Sequence, residues 1–355
     1  MTDSIAAAGI RWFGDIGVAD RASVGGKAAS LGELTRAGIN VPPGFVVTTL
    51  AFEAALAAID PAGKLRSSVE QLDPADLDAM TQLADGAREL FVEAALPAAL
   101  IEAVRGAYAR LAVTQVAVRS SATSEDSADA SFAGLQDTQL CVAGADAVVR
   151  ALRACWASLY SRESVGYRLR LKLPEQQVAM GVVIQSMLAS RSSGVMFTRS
   201  PLTGDRSVIA IEASFGLGSA IVSGEVTPDK YVLNKVTGEI AARTVSAKAL
   251  RHVAASPEAG GVAVQSLSES EQQVASVSDA ELRELAALGR RVERHYGTPQ
   301  DIEWAIAPAP GGAERVYLLQ SRPETVWSRR EPQPIARPAA RAYDHVLATL
   351  YKGDR

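Results

Sequence analysis

The segment 300–325, QDIEWAIAPAPGGAERVYLLQSRPET, narrows what this chain can be more than any other. Two runs alternate in polarity around a Gly311-Gly312 turn, the period-two pattern of strands half buried in a sheet. In the first run Asp301 and Glu303 share one face, and Ile302, Trp304 and Ile306 share the other. In the second run Gln320 and Arg322 lie on one face. An antiparallel hairpin centred on the two glycines sets Glu303 opposite Gln320 and Asp301 opposite Arg322. A carboxylate, an amide oxygen and a guanidinium then meet on one patch. Hard oxygens suit Mg²⁺, and a guanidinium suits a phosphate. An exposed hairpin with one cross-strand ion pair satisfies the same pattern. The loop is long enough for the register to slip by a residue or two.

With 355 residues the chain exceeds one ordinary core, which predicts two or three lobes. Hydrophobic residues make up 48% and charged residues 21%, the balance of a globular protein. A net charge of −4 gives no general attraction to nucleic acid, so no such partner is expected. No apolar run is long enough to cross a bilayer, and MTDSIAAAGIRWFGD lacks the layout of a secretory signal. A cytoplasmic protein with no membrane partner is the expectation. Cys141 and Cys155 form no CxxC pair and have no histidine nearby. They read as reduced core residues rather than zinc ligands.

Along the chain, RASVGGKAASLGELTRAG reads as a glycine loop opening a helix, with Ala28, Leu31 and Leu34 as its apolar stripe and Gly38 as its stop. Thr49 is placed to cap the next helix. Residues 61–112 read as largely helical. A strand at Gln115–Ala122 leads through a polar loop into a second strand, LQDTQLCV. Residues 145–171 read as one long helix whose basic end, with Arg162, Arg168, Arg170 and Lys172, is a solvated or docking face. Strands dominate from Met180. Residues 254–277 read as a surface excursion, and Ser278 with Glu281 forms a capping box for another helix. RREPQPIARPAAR is a Pro/Arg linker before a short amphipathic end.

Several smaller features carry possible chemistry. Gly25-Gly26-Lys27 opens a helix, where backbone N–H groups attract anions and a lysine can reach a phosphate. The Walker A spacing is missing, and a helix cap with a solvated lysine fits equally. Arg119 ends an apolar strand, a place for either a ligand contact or an ion pair. In the following loop Gly134 permits close backbone approach and Thr138 offers a hydroxyl, so the loop can close over phosphates or be an ordinary hairpin tip. FGLGSAIVSG has its third glycine misplaced for a dinucleotide fingerprint, which leaves glycines that turn a strand beneath a ligand. His252, His295 and His345 all lie outside any loop that would present a nucleophile.

Taken together, GGKAASLGEL, VAVRSSATSEDSADASFAGLQDT, VVIQSM, EASFGLGSAIVSGEVTPDKY and DIEWA…YLLQSRP resemble one family in order and spacing. The chain is similar, over roughly residues 12–326, to the N-terminal ATP-binding domain of phosphoenolpyruvate synthase and pyruvate phosphate dikinase, which also occurs in rifampicin phosphotransferases. The resemblance implies an α+β or α/β, ATP-grasp-like two-lobed fold. Its lobes would be residues 1–190 and 191–328, with residues 329–355 as linker and tail. It implies ATP and Mg²⁺ as cofactors. Lys27 and Arg119 would contact the phosphates, with Gly134, Thr138 and their loop covering them. Gln185 and Met187 would form the adenine hinge, Glu303 and Gln320 would hold Mg²⁺, and Arg322 would grip the transferred group.

Members of this family pass the β-phosphoryl group of ATP to a histidine in a Thr/Ser/Gly-rich motif and release AMP and phosphate. No histidine of this sequence matches that motif. The resemblance therefore implies either a partner subunit that carries the phosphocarrier histidine and the acceptor site, or a chain that is a fragment of a longer enzyme. Phenylphosphate synthase, a split enzyme of this type, is the leading expectation. An isolated ATP-binding domain of a phosphoenolpyruvate synthase or rifampicin phosphotransferase, and a nucleotide-binding regulatory module, are the rivals. The residues Lys27, Arg119, Glu303, Gln320 and Arg322 are all intact, which speaks against the last.

Overall fold

The computed structural model describes residues 9–123 and 138–327. Gly134 and most of its loop, His345 and the Pro/Arg-rich tail lie outside the described residues. In chain order the strands are β1 (Ile10–Trp12), β2 (Gly44–Val47), β3 (Gln115–Ala122), β4 (Thr138–Ala143), β5 (Met180–Ser186), β6 (Ser192–Phe197) and β7 (Val208–Phe215). They continue as β8 (Asp229–Asn234), β9 (Ile240–Thr244), β10 (Leu250–Ala254), β11 (Val262–Ser266), β12 (Gln300–Pro308) and β13 (Glu314–Pro323). The helices are α1 (Arg21–Arg36), α2 (Thr49–Ile59), α3 (Lys64–Gln71), α4 (Leu77–Glu93), α5 (Ala98–Leu111), α6 (Ala145–Ser158) and α7 (Arg162–Leu171). Two single turns, α8 (Ser219–Val222) and α9 (Glu269–Gln272), precede α10 (Asp279–Tyr296).

The fold is mixed α+β. One sheet runs β1-β2-β5-β3-β4 and the other β13-β12-β6-β7-β8-β9, with antiparallel neighbours throughout. The β10–β11 hairpin stands apart from both. It touches both neighbourhoods, because Gly216 bridges to His252 midway along β10 and the Gly261 N–H donates to the Cys141 carbonyl at the tip.

Two apolar cores support this frame. The first fills the space between the first sheet and helices α2 to α7, where Phe52 and Phe91 stack at 6.4 Å and Phe91 and Tyr160 at 5.9 Å. The second combines Val24, Ala28, Leu31 and Leu34 of α1 with Val46 and Val183 of the first sheet. It also takes in Ile211, Ile302, Trp304 and Leu318 of the second sheet and Leu282, Leu285 and Val292 of α10. The strands of the two sheets divide between residues 186 and 192, yet the apolar packing does not divide there. Helix α1 belongs by sequence to the first half and packs in the second core.

Local differences from the sequence reading have physical causes. The long helix expected over 145–171 is two helices, because Ser161 accepts from the Ser164 N–H at 3.2 Å and starts α7 afresh. Arg168 is not solvated but fully buried. It donates to Glu175 at 2.8 and 3.2 Å and to the Leu159 carbonyl at 2.5 Å, the pairing that makes a buried guanidinium tolerable. Thr48 rather than Thr49 caps α2, since Thr49 turns its hydroxyl to the Ala22 carbonyl. Within 254–277 Ser276 is buried and donates from its N–H and its hydroxyl to Asp229, at 2.8 and 2.7 Å.

Close approach of β6 to its neighbours depends on Gly194. A β-carbon there would stand 1.9 Å from the Glu212 carbonyl oxygen and 2.7 Å from the Trp304 ring. We expect Gly194→Ala to lower stability by roughly 1–3 kcal/mol, read as an earlier urea midpoint with unchanged slope. An unmoved midpoint would mean that β6 has slack at this position.

Candidate functional site

The β12–β13 hairpin has the register that the alternation predicts where it matters. Gln300 faces Pro323, Asp301 faces Arg322 and Glu303 faces Gln320. Gly311 and Gly312 take φ of 99° and 87°, in the left-handed half of the map that a side chain would disfavour. Between turn and site the register changes, because Trp304 faces Leu318 and Leu319 is left over as a bulge. A bulge-free ladder continued from the turn would set Leu319 opposite Glu303 and carry Gln320 to the other face. The bulge therefore brings the two oxygen-bearing side chains together.

Arg119 comes to meet them from the other sheet. It lies near the end of β3, opposite Thr138 of β4 and Val183 of β5, and is 9% exposed. Its Nη2 donates to Glu303 Oε2 at 2.9 Å and to Gln320 Oε1 at 2.6 Å, and its Nη1 donates to the Leu319 carbonyl at 3.0 Å. Two oxygens that share one nitrogen also lie close enough to share one cation. Beside them Arg322 Nε is 3.6 Å from Asp301 Oδ2, and the Arg322 side chain is half exposed.

The glycine loop docks on the same strand. Gly25 breaks α1 with φ of 80°, and a β-carbon there would stand 1.9 Å from the Ser121 carbonyl oxygen. The Ser121 hydroxyl donates to the Val24 carbonyl and accepts from the Ala28 N–H, both at 3.0 Å, which fixes the helix end on β3. Lys27 is not a solvated surface lysine. It is buried, and its Nζ donates to the Ser120 carbonyl, next to Arg119, at 2.5 Å.

A cavity of about 450 Å³ opens between the sheets. Arg119, Thr138, Gln185, Met187 and Glu303 line it, and Gln320 adjoins it through Arg119, while Lys27 and Arg322 are not among its lining residues. Its middle is apolar, with Leu140, Leu188, Val195 and Leu217 among the lining residues. Gln185 is buried and donates from Nε2 to the Pro42 carbonyl at 3.3 Å, and the Met187 N–H donates to the Gln115 carbonyl at 3.1 Å. Ser186 also lines the cavity, and its buried hydroxyl has no hydrogen-bond partner among the described residues. A bound polar ligand would supply that partner.

The segment FGLGSAIVSG forms part of the same wall through Leu217, Gly218, Ser219, Ile221 and Val222. Gly216 lies against His252, where a β-carbon would come within 2.1 Å of its carbonyl oxygen. His252 is buried, with Nδ1 2.9 Å from the Ser219 hydroxyl and Nε2 3.5 Å from Glu225. The Ser223 hydroxyl, followed by His252, holds the Glu225 carboxyl below its ordinary range. His295 pairs with Glu33 at 2.9 Å. Neither histidine lines the cavity as an open nucleophile.

Among the described residues no group of three or more His, Cys, Asp or Glu side chains is placed to hold a metal ion. Glu303 and Gln320 offer one carboxylate and one amide oxygen. That set fits Mg²⁺, which takes few protein oxygens and completes its shell with phosphates and water. Sequence reasoning missed the Leu319 carbonyl, which no residue type signals, and the hydroxyls of Ser186 and Ser219. The glycines around Ser219 were the available sign of the last.

Comparison with known proteins gives a consistent picture. Residues 21–342 match the family described as pyruvate phosphate dikinase, AMP/ATP-binding domain. The chain is 43% identical over 313 residues to a rifampicin phosphotransferase of Streptomyces sp, with 88% of this chain and 35% of that protein covered. It is 39% identical over 361 residues to a phosphoenolpyruvate synthase of Aeropyrum pernix, covering 93% and 44%. A probable phosphoenolpyruvate synthase of Staphylothermus marinus is 36% identical over 353 residues, covering 92% and 42%. The chain thus spans about two-fifths of the length of these relatives. No described helix is long and apolar enough to cross a membrane.

Replacing the three-acceptor guanidinium by a point charge tests the bridge between the sheets. Arg119→Lys is expected to lower stability by roughly 1–2 kcal/mol, read in thermal unfolding without added ligand. An unchanged midpoint would mean that this bridge adds nothing to the association of the sheets.

Proposed function

The chain belongs to the pyruvate phosphate dikinase AMP/ATP-binding domain family, and we propose that it binds ATP between its two sheets for phosphoryl transfer to a histidine on a partner domain or subunit. The observation that carries this reading is the meeting of Arg119, Glu303 and Gln320 at an otherwise largely apolar cavity. An apolar slot suits a base, and a cluster of one carboxylate, one amide and cations suits a metal-bound polyphosphate. Two antiparallel sheets flanking the cavity support an ATP-grasp-like reading of the fold.

In this reading Gln185 and Met187 border the adenine. Lys27, with the N-terminus of α1 beneath it, and Arg119 draw the phosphates to the end of β3. Glu303 and Gln320 would hold Mg²⁺, which when bound offsets phosphate charge. Thr138 faces the phosphates from β4, and Gly134 belongs to the covering loop. Arg322 takes the group in transfer, where its fork can follow two oxygens at once. The bond between Pβ and the oxygen bridging to Pα breaks, and AMP leaves with that oxygen. A histidine nitrogen forms the new bond to Pβ, and hydrolysis of the β,γ link releases phosphate. The chain's residues orient ATP and gather positive charge where negative charge spreads.

The histidine and the final acceptor belong to the partner in this reading. The relatives named above are phosphoenolpyruvate synthases and a rifampicin phosphotransferase, so those forms of the reaction have the firmer support. The phenylphosphate synthase form expected from the sequence has no counterpart among them.

The test supplies ATP labelled at the β or the γ position, with and without an extract of the source cells. Acid-labile label from the β position on a histidine-bearing protein, together with AMP, is expected. Label arriving from the γ position would overturn the reading. Arg322→Ala is expected to keep ATP affinity within about threefold and to lose AMP formation at least about 100-fold. Unchanged AMP formation would remove Arg322 from the transfer.

A further inference from the structure

We infer that Ser219 binds the nucleotide by accepting a hydrogen bond from a sugar hydroxyl, and that His252 is the residue that positions it. This rests on the reading of the cavity as an ATP site. The cavity has a base end at Gln185–Leu188 and a phosphate end at Arg119 and Glu303. Strand β6 measures the distance between them. Ser190, just before it, lines the cavity and follows Gln185–Leu188 in the chain, whereas Val195 faces Glu303 directly. Ser193 lies two residues earlier, about 7 Å back along the strand. Gly218 is against Ser193, since a β-carbon on it would stand 3.6 Å from the Ser193 hydroxyl. Ser219 therefore lines the stretch between base and phosphates, and the sugar is what a nucleotide carries there.

The hydroxyl is held rather than free to rotate. The Ser193 hydroxyl donates to the Gly216 carbonyl at 2.6 Å, and the Leu217 N–H donates to the His252 carbonyl at 2.8 Å. These contacts fix the turn on β6 and on the β10 backbone. The His252 ring has a carboxylate on one side, Glu225 at 3.5 Å from Nε2, and Ser219 on the other, at 2.9 Å from Nδ1. Nε2 makes no hydrogen bond among the described residues, but the Glu225 charge 3.5 Å away favours a proton on that nitrogen, which leaves the lone pair on Nδ1. Nδ1 then accepts the Ser219 proton, and the Ser219 oxygen turns its lone pairs to the cavity. An oriented acceptor matches a ligand O–H donor.

Affinities of the whole chain for ATP, 2′-deoxyATP and 3′-deoxyATP, read by calorimetry, test this. The wild-type protein is expected to bind one of the two deoxy nucleotides about 2- to 13-fold more weakly than ATP. Ser219→Ala is expected to lose the same factor for ATP and nothing further for that analogue. His252→Phe, which fills the ring space without a nitrogen, is expected to match Ser219→Ala. His252→Asn, which returns a polar atom near Nδ1, is expected to recover most of the loss. Equal affinity of the wild-type protein for all three nucleotides would overturn the inference without any variant. So would Ser219→Ala with full affinity for ATP, or His252→Asn no better than His252→Phe. A wild-type chain that binds no ATP would bring down the ATP reading itself, a result distinct from the others.

Discussion

Arg119 reaches from the third strand of one sheet to the last two strands of the other, and the site depends on that reach. Its guanidinium is held by a carboxylate, an amide and a backbone carbonyl. Five N–H donors in a planar fork allow one side chain to do this, which a lysine ammonium on a flexible stem would not. The partner oxygens are in place only because the hairpin carries one extra residue. The Leu319 bulge restores the face of Gln320 and also exposes the carbonyl that Arg119 takes. Strand pairing, side-chain orientation and contact between the sheets thus converge on one residue.

The same arrangement explains why a charged cluster survives at a half-buried site. Glu303 would be costly there without compensation, and Arg119 supplies it. A phosphate reaching Arg119 competes with Glu303 and Gln320 for the same N–H groups. Such an exchange replaces charge-assisted hydrogen bonds by others of their kind, so the net change is smaller than either set alone.

Much of this was legible in the sequence because strand alternation is a strict rule. Asp301, Glu303, Gln320 and Arg322 were placed together from period two and a pair of glycines. The ladder from the turn runs one residue off, however, and only the Leu319 bulge, which the sequence does not signal, makes that placement right. The capping box at Ser278 and Glu281 was equally readable, since its two residues meet locally. What stayed hidden depends on partners distant in sequence. Lys27 looks like a surface lysine until Ser120 is beside it, and Arg168 looks solvated until Glu175 folds back on it. The break at Ser161 was missed because the apolar pattern continues through it while a single hydroxyl resets the backbone. Ser219 gave no sign in its own residue type, because its orientation is set by His252 from another strand.

Helix α1 has a consequence for how the chain assembles. Its apolar side closes against Ile302, Trp304 and Leu318, while its N-terminus is fixed to β3 through Ser121. During synthesis this helix is made well before β12 and β13, the strands that cover it. Until those strands arrive the helix keeps an uncovered apolar stripe, which is a time of exposure to aggregation. Once β12 and β13 arrive, the helix joins both halves in one core. Unfolding either half then uncovers apolar surface of the other, a coupling that strand pairing alone does not give the two sheets.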